Sequence, residues 1–329
     1  MKPLSECRVL VTPTSFARYD KSQSEELERA VKEVVYNETG KPLTADELLP
    51  IIGDIDGMIA GLDYLDSKVI EKAKNLKVIS RYGVGFDRID LEAARNAGIY
   101  VTNTPGANSV SVAELTVGLA ISLARSIPHA NNETKKGGWP RLSGIALYKK
   151  VFGLVGLGDI GQKVALLLKP FNCKIVAYRR NPDYEFAEKH GVTFLPLDDL
   201  LSESDFVSLH VPVTPLTEKM VNKDFIGKMK LGSFLINTSR GELVDEKALL
   251  DSLVNGHLKG AALDVFSKEP PDADDQLLKL PNVIITPHLG AGTDLSANEM
   301  GRMAMSDCLA VLRGEKPIYI VVDPNVKSN

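Results

Sequence analysis

No apolar run in the chain approaches the roughly 18–20 residues needed to cross a bilayer, so no segment reads as a membrane span. The opening Met-Lys-Pro-Leu-Ser-Glu-Cys carries an acid early and no apolar core, so a secretory leader is not expected. Cysteine is scarce: Cys7, Cys173 and Cys308 lie far apart and form no CxxC. An odd number without pairing spacing excludes a disulfide framework and leaves no thiolate set for a metal. It points to reduced thiols in a cytoplasmic protein, each thiol reading as a small core residue. A surplus of positive charge is also missing. With a net charge of −4 and a pI near 5.8, the chain is unsuited to general binding of nucleic acid or anionic membrane. Internal repeats and low-complexity segments are absent. What is present is globular: 44% hydrophobic and 25% charged residues, over 329 positions that exceed one ordinary core and suggest two domains.

Short β-branched runs alternate with amphipathic stretches. Arg8–Thr12, Val31–Tyr36, Gly57–Ala60, Lys77–Ser80 and Ile99–Thr102 read as strands. Ser24–Arg29, Thr44–Ile51, Ser67–Lys74 and Leu91–Ala97 read as helices between them. Such alternation is the mark of an α/β fold, a parallel sheet with helices on both faces. After the breaker Asn103-Thr-Pro-Gly106, Ser111-x-x-Glu114 fits a capping box for a helix running to about Arg125. That helix is apolar on nearly all sides, which predicts burial by another domain or subunit. A polar, glycine-rich connector, Asn131–Ser143, holds the only tryptophan, Trp139. A second alternating series runs from Val151 to about Pro287. An amphipathic helix, Leu295–Leu312, and a short apolar run, Ile318–Val322, close the chain. Two series and a returning helix suggest a discontinuous first domain with the second inserted in it.

Within Val151-Phe-Gly-Leu-Val-Gly156-Leu-Gly158-Asp-Ile-Gly161, a strand runs through GxGxxG into an apolar helix. The first glycine permits the tight turn, the second lets the backbone approach a pyrophosphate, and the third lets helix pack on strand. The amides of Asp159 and Ile160 then face the ligand at the positive end of the helix. The next strand, Lys174–Tyr178, ends at Arg179-Arg180-Asn181, where NAD sites usually carry an acid for the ribose hydroxyls. A guanidinium there pairs with a 2′-phosphate, so NADP(H) is expected in preference to NAD(H).

Three later segments end strands in polar residues: Phe234-Leu-Ile-Asn-Thr-Ser-Arg240-Gly, Gly260-Ala-Ala-Leu-Asp264-Val-Phe-Ser-Lys-Glu269-Pro-Pro and Val283-Ile-Ile-Thr-Pro-His288-Leu-Gly-Ala. Arginine, carboxylate and histidine are what reduction of a 2-oxo acid requires. The cation holds the substrate carboxylate and polarises the ketone, the imidazole supplies a proton as hydride arrives, and the acid keeps that imidazole charged and oriented. His129, His190 and His257 read as solvated helix-end residues, and His210 as a neighbour of the cofactor without proton chemistry.

These motifs, in this order, resemble the D-isomer-specific 2-hydroxyacid dehydrogenase family, from Arg81-Tyr-Gly-Val-Gly-Phe-Asp through Asn103-Thr-Pro-Gly and GLGDIG to Pro287-His-Leu-Gly-Ala. The resemblance implies two Rossmann-like, doubly wound parallel-sheet domains. The cofactor domain, 107–289, would be inserted into a discontinuous flavodoxin-like substrate domain of 1–106 and 290–329, with the cleft between them. It implies Arg240 as the substrate-binding arginine, Glu269 as the histidine's partner and His288 as the general acid/base. The amides of Gly83, Val84 and Gly85 would hold the substrate carboxylate, and Asp264 the nicotinamide carboxamide. Val211, Pro212, Thr217, Thr238 and Gly290 would border the cofactor. The buried helix and the Trp139 loop match the family's dimerisation region, so a homodimer through Ser109–Leu147 is expected.

The motifs barely constrain the substrate's distal end. The resemblance is to phosphoglycerate dehydrogenases, with NADPH-dependent glyoxylate or hydroxypyruvate reduction as the alternative. Gly61-Leu62-Asp63 offers no arginine where one is expected for a phosphate; Arg18 and Arg141 could substitute. A cofactor-sensing protein without turnover, resembling a corepressor, is the reading from another functional class.

Overall fold

The computed structural model describes residues 2–326. In chain order the strands are β1 Arg8–Val11, β2 Glu33–Tyr36, β3 Gly57–Ala60, β4 Val78–Arg81, β5 Tyr100–Thr102, β6 Val151–Val155 and β7 Lys174–Tyr178. There follow β8 Val192–Phe194, β9 Phe206–Leu209, β10 Phe234–Asn237, β11 Gly260–Leu263, β12 Val283–Ile285 and β13 Ile320–Val322. The helices are α1 Ser22–Ala30, α2 Ala45–Leu48, α3 Ser67–Lys72, α4 Leu91–Asn96, α5 Ser109–Arg125 and α6 Ile127–Lys135. After them come α7 Asp159–Leu168, α8 Tyr184–His190, α9 Leu197–Glu203, α10 Lys223–Lys228, α11 Glu246–Val254 and α12 Asp294–Leu312.

The chain divides into two units, Met1–Asn108 with Ala291–Asn329, and Ser109–Gly290. In the first, the strand order is β13-β5-β4-β3-β1-β2, parallel except for β13. This is the flavodoxin-like order, with its switch point between β1 and β3. Helix starts follow from short polar side chains: Asp66 and Asp90 accept first-turn amides of α3 and α4, and Thr44 and Glu47 form a capping box on α2. Each such cap contributes about 1 kcal/mol. The long α12 buries Met300, Ala304, Cys308 and Leu312, residues four apart, against the face of the sheet carrying Val9, Ile59 and Val78.

The second unit orders its strands β12-β11-β10-β9-β6-β7-β8, all parallel, with the crevice at the β6/β9 switch point. β6, β9, β10 and β11 are buried almost end to end, as strands covered on both faces must be. Phe152, Phe206 and Phe234 stack across three neighbouring strands, at 5.3 and 4.9 Å between ring centres. Loops after these strands therefore collect at one edge of the sheet, where open α/β sheets hold ligands.

Three local expectations are corrected. α5 begins at Ser109, so Ser111 lies inside the helix and is buried, and the Ser111–Glu114 box does not cap it. Its buried side packs on α7, β10 and β11 of its own unit, through Ala113, Val117, Ala120 and Ala124, so the cover the sequence left to another domain or subunit is found here within the unit. The first part of the expected connector is helical: Ser126 turns left-handed at φ 50°, and Pro128, fitted to a first turn, starts α6. Among the described residues, no single helix is long and apolar enough to cross a membrane.

Candidate active site

The glycine loop is shaped by close approaches that only glycine allows. Gly156 has φ +104°, and a Cβ there would lie 2.4 Å from the His210 carbonyl oxygen. A Cβ on Gly161 would lie 2.3 Å from the Gly156 carbonyl oxygen. By contrast, a Cβ on Gly158 would meet nothing within 4 Å, so the space over the loop is clear. α7 starts at Asp159 without a side-chain cap, which leaves the Asp159 and Ile160 amides available to an anion. An uncapped helix start, a close-packed turn and open space above it fit a dinucleotide pyrophosphate.

Arg179 and Arg180 are exposed beyond β7, and Arg179 Nη1 donates to the Leu157 carbonyl at 3.0 Å. The guanidinium is thus anchored on the glycine loop itself. After β9, Val211 and Pro212 sit in a loop tied by Thr217: its Oγ1 donates to the Pro212 carbonyl at 2.7 Å and accepts the Thr214 amide at 2.8 Å. Ser239 Oγ closes on the Val211 carbonyl at 2.7 Å, and the Thr238 hydroxyl pairs with Thr116 of α5 at 2.9 Å. Half-buried His210 pairs through Nε2 with Ser208 Oγ at 2.9 Å, and burial pushes its imidazole down to about 4.

One strand over, fully buried Asn237 shapes the arginine loop: Nδ2 donates to the Arg240 carbonyl at 2.7 Å, and Oδ1 accepts the Ser239 amide at 3.0 Å. Arg240 is half-buried, with Nη1 on the Ser239 carbonyl at 2.8 Å. β11 and β12 deliver the remaining pair. His288 Nδ1 lies 3.0 Å from both carboxylate oxygens of Glu269, and both side chains are half-buried. The carboxylate on Nδ1 fixes the orientation of the ring and leaves Nε2 as its outward nitrogen.

Asp264 is tied into the loop that carries His288. Its carboxylate accepts the Thr286 hydroxyl at 2.5 Å and the Leu289 and Gly290 amides at 2.7 and 2.9 Å. Burial pushes the carboxyl up, opposed by those three hydrogen bonds. Most of its acceptor capacity is therefore committed to the loop carrying His288. Thr286 was not singled out from the sequence; a hydroxyl two residues before the histidine was its only signal.

Gly83, Val84 and Gly85 belong to the first unit, at the carboxyl end of β4. The Gly83 amide is already bonded to the Arg81 carbonyl at 2.9 Å, which corrects its expected availability to substrate. The Val84 and Gly85 amides have no acceptor among the described residues. Asn103 Nδ2 and the Thr104 amide fix the turn, on the Val84 and Gly83 carbonyls at 2.8 and 3.1 Å.

A second correction concerns His257. It is not merely solvated: its Nε2 lies 2.9 and 3.0 Å from the Ile226 and Met229 carbonyls, at the end of α10. His190 ends α8 against the Phe186 ring, 4.5 Å between centres. Among the described residues, no three His, Cys, Asp or Glu side chains form a metal-ligand group.

Residues 117–290 match the family described as the D-isomer specific 2-hydroxyacid dehydrogenase NAD-binding domain. The chain belongs to the D-isomer-specific 2-hydroxyacid dehydrogenases. It is 40% identical to the hydroxypyruvate reductase of Thermotoga maritima, covering 87% of this chain and 95% of that one. It is 43% identical to the D-3-phosphoglycerate dehydrogenase of Methanocaldococcus jannaschii, covering 91% of this chain but 57% of that longer protein. The Thermus thermophilus TT0316 structure superposes with a TM-score of 0.86 at 38% identity, covering 96% of this chain and all of that one.

As a dehydrogenase of this family the chain is an oxidoreductase that uses a nicotinamide cofactor, and the non-enzymatic reading falls away. Its Glu269–His288 contact makes a pH prediction. On the expectation that Glu269 supports a charged His288 ring, Glu269→Gln should move the limb of the pH–rate profile governing ketone reduction to lower pH. The oxidative direction, which needs neutral imidazole, should suffer less. Steady-state profiles in both directions check this, and an unmoved reductive limb would separate Glu269 from the proton chemistry.

Proposed function

We propose that this dehydrogenase interconverts a small D-2-hydroxy acid and its 2-oxo acid with NADP(H) in preference to NAD(H). The observation that carries the proposal is His288 Nδ1 held 3.0 Å from both oxygens of Glu269 on loops at the sheet's carboxyl edge. Gly156, Gly158, Gly161 and the first-turn amides of α7 would hold the dinucleotide, which supplies or accepts hydride when bound. His288 gives its free-side proton to the ketone oxygen in reduction and takes it back in oxidation. Arg240 binds the substrate carboxylate. Arg179 supports the NADP(H) preference, because no acid stands at the end of β7 and the guanidinium rests on the glycine loop.

For the substrate, the phosphoglycerate dehydrogenase reading stands first on resemblance. One observation favours the second, reduction of unphosphorylated hydroxypyruvate or glyoxylate. At the carboxyl ends of β1 and β3, fully buried Asp63 accepts the Thr12 hydroxyl, the Gly61 amide at 2.9 Å and the Leu43 amide at 2.8 Å. These are donors a phosphate would need at that edge, and the carboxylate adds like charge. Comparing kcat/KM for 3-phosphohydroxypyruvate, hydroxypyruvate and glyoxylate with NADPH decides between them: the second reading expects the phosphorylated acid to be the poorest. Turnover of none of them would overturn both.

The proposal includes a homodimer through residues 109–147. Trp139 is 81% exposed, and Ile127, Leu142 and Tyr148 nearby in sequence are exposed too. Trp139→Glu should shift the mass seen in analytical ultracentrifugation from dimer to monomer, and a wild-type monomer would refute the assembly. Unpaired thiols suit a reducing compartment, so the reading places the enzyme in the cytoplasm.

A further inference from the structure

His288 has a left-handed backbone, φ 55°, which an L-residue adopts only where its surroundings hold it. The holding contacts converge on one side chain. Asp264 Oδ1 accepts the Thr286 hydroxyl at 2.5 Å and the Leu289 amide at 2.7 Å, while Oδ2 accepts the Gly290 amide at 2.9 Å. The Asp264 carbonyl takes the His288 amide at 2.9 Å, and the Thr286 amide is pinned to the Leu263 carbonyl at 3.0 Å. Residues before and after the histidine are thereby tied to the end of β11. With Nδ1 on Glu269, the ring's Nε2 has no partner among the described residues and is the atom left to meet a substrate.

We propose that Thr286 is a positioning residue for the hydride-transfer reaction: its hydroxyl orients the Asp264 carboxylate so that both oxygens clamp the left-handed turn aiming His288. A carboxylate accepting the Leu289 and Gly290 amides on separate oxygens must be held about its terminal torsion, and the Thr286 hydroxyl adds a third donor on Oδ1. Removing that donor leaves the carboxylate held by the two amides alone, which loosens the turn and lets the imidazole wander from its line to the ketone. The inference rests on His288 being the proton donor.

Thr286→Val keeps the shape and removes the donor, while Thr286→Ser keeps the donor. Steady-state kcat and KM with hydroxypyruvate or the best 2-oxo acid, and NADPH dissociation constants from fluorescence quenching, separate the possibilities. Thr286→Val should lower kcat about 10- to 100-fold, the worth of one hydrogen bond to a charged group. NADPH affinity should stay within about threefold, since that bond is not made to the dinucleotide, and Thr286→Ser should restore most of kcat. Wild-type kcat in Thr286→Val, or equal losses in Val and Ser variants, would overturn the clamp. So would lost NADPH binding in Thr286→Val, which would assign the hydroxyl to the fold of the loop. His288→Asn distinguishes the two readings. If it is inactive while Thr286→Val is unaffected, the clamp alone fails; if it turns over normally, the proton-donor reading fails and takes the clamp with it.

Discussion

Replacing His288 with alanine is expected to lower kcat/KM for 2-oxo acid reduction roughly 10²–10⁴-fold, the usual worth of a positioned general acid. The dinucleotide should still bind nearly as well, because its contacts are assigned to the glycine loop and the start of α7 rather than to the end of β12. Arg240→Ala should produce a loss that includes a large rise in KM, since a guanidinium gripping a carboxylate stabilises bound substrate as well as the transition state. Both loops are supported by neighbours the substitutions leave in place: Asn237 holds the arginine loop, and Asp264 holds the histidine turn. Folding should therefore survive. Near-wild-type turnover by either variant with a good substrate would remove that residue from the chemistry.

Arg179→Asp is expected to reverse the cofactor preference. The 2′-phosphate of NADPH carries close to two negative charges, and a charge-assisted hydrogen bond is worth about 1.5–3 kcal/mol. That corresponds to roughly 10–100-fold in affinity. Because Arg179 is exposed, salt screening should bring the wild-type preference toward the lower figure. One guanidinium nitrogen is already on the Leu157 carbonyl, which fixes the side chain over the loop and leaves its other donors for the phosphate. Aspartate removes the attraction and adds repulsion, while offering acceptors to unphosphorylated ribose hydroxyls. Arg180→Ala should matter less, because it is Arg179 that rests on the glycine loop. Kinetic constants with NADPH and NADH for wild type and variant check this. A wild type that favours NADH, or a variant with an unchanged ratio, would reduce the arginines to surface charge.

The architecture was legible because both sheets are built from short β-branched runs whose period and punctuation leave little choice. Val151–Val155 followed by GxGxxG and an apolar helix is such a case, and so is the Thr-Pro-His end of β12. Other features depend on what surrounds them. α5 read as a helix covered by something foreign, since an all-apolar pattern gives no address, and the cover is α7 with β10 and β11. Asn131–Ser143 read as a connector throughout, yet a proline suits a helix's first turn, and α6, Ile127–Lys135, carries Pro128 there and runs into that stretch. Asp264 and Gly83 read as ligand contacts, and the hydrogen bonds they also make within the protein depend on how β11 meets the Thr286–Gly290 loop and how the turn after β4 closes. Neither can be seen in a linear pattern. Thr286 escaped notice for the same reason: only the folded loop brings its hydroxyl to Asp264.

The most direct test of the central claim is the fate of the transferred hydrogen. NADPH deuterated at the nicotinamide C4 position would be incubated with hydroxypyruvate or the best 2-oxo acid, and the product examined by chiral chromatography and mass spectrometry. The account predicts a D-2-hydroxy acid carrying deuterium at C2 from one face of the nicotinamide, formed by the wild type and nearly absent with His288→Ala. Product of L configuration, product without deuterium at C2, or no product from any 2-oxo acid would contradict it.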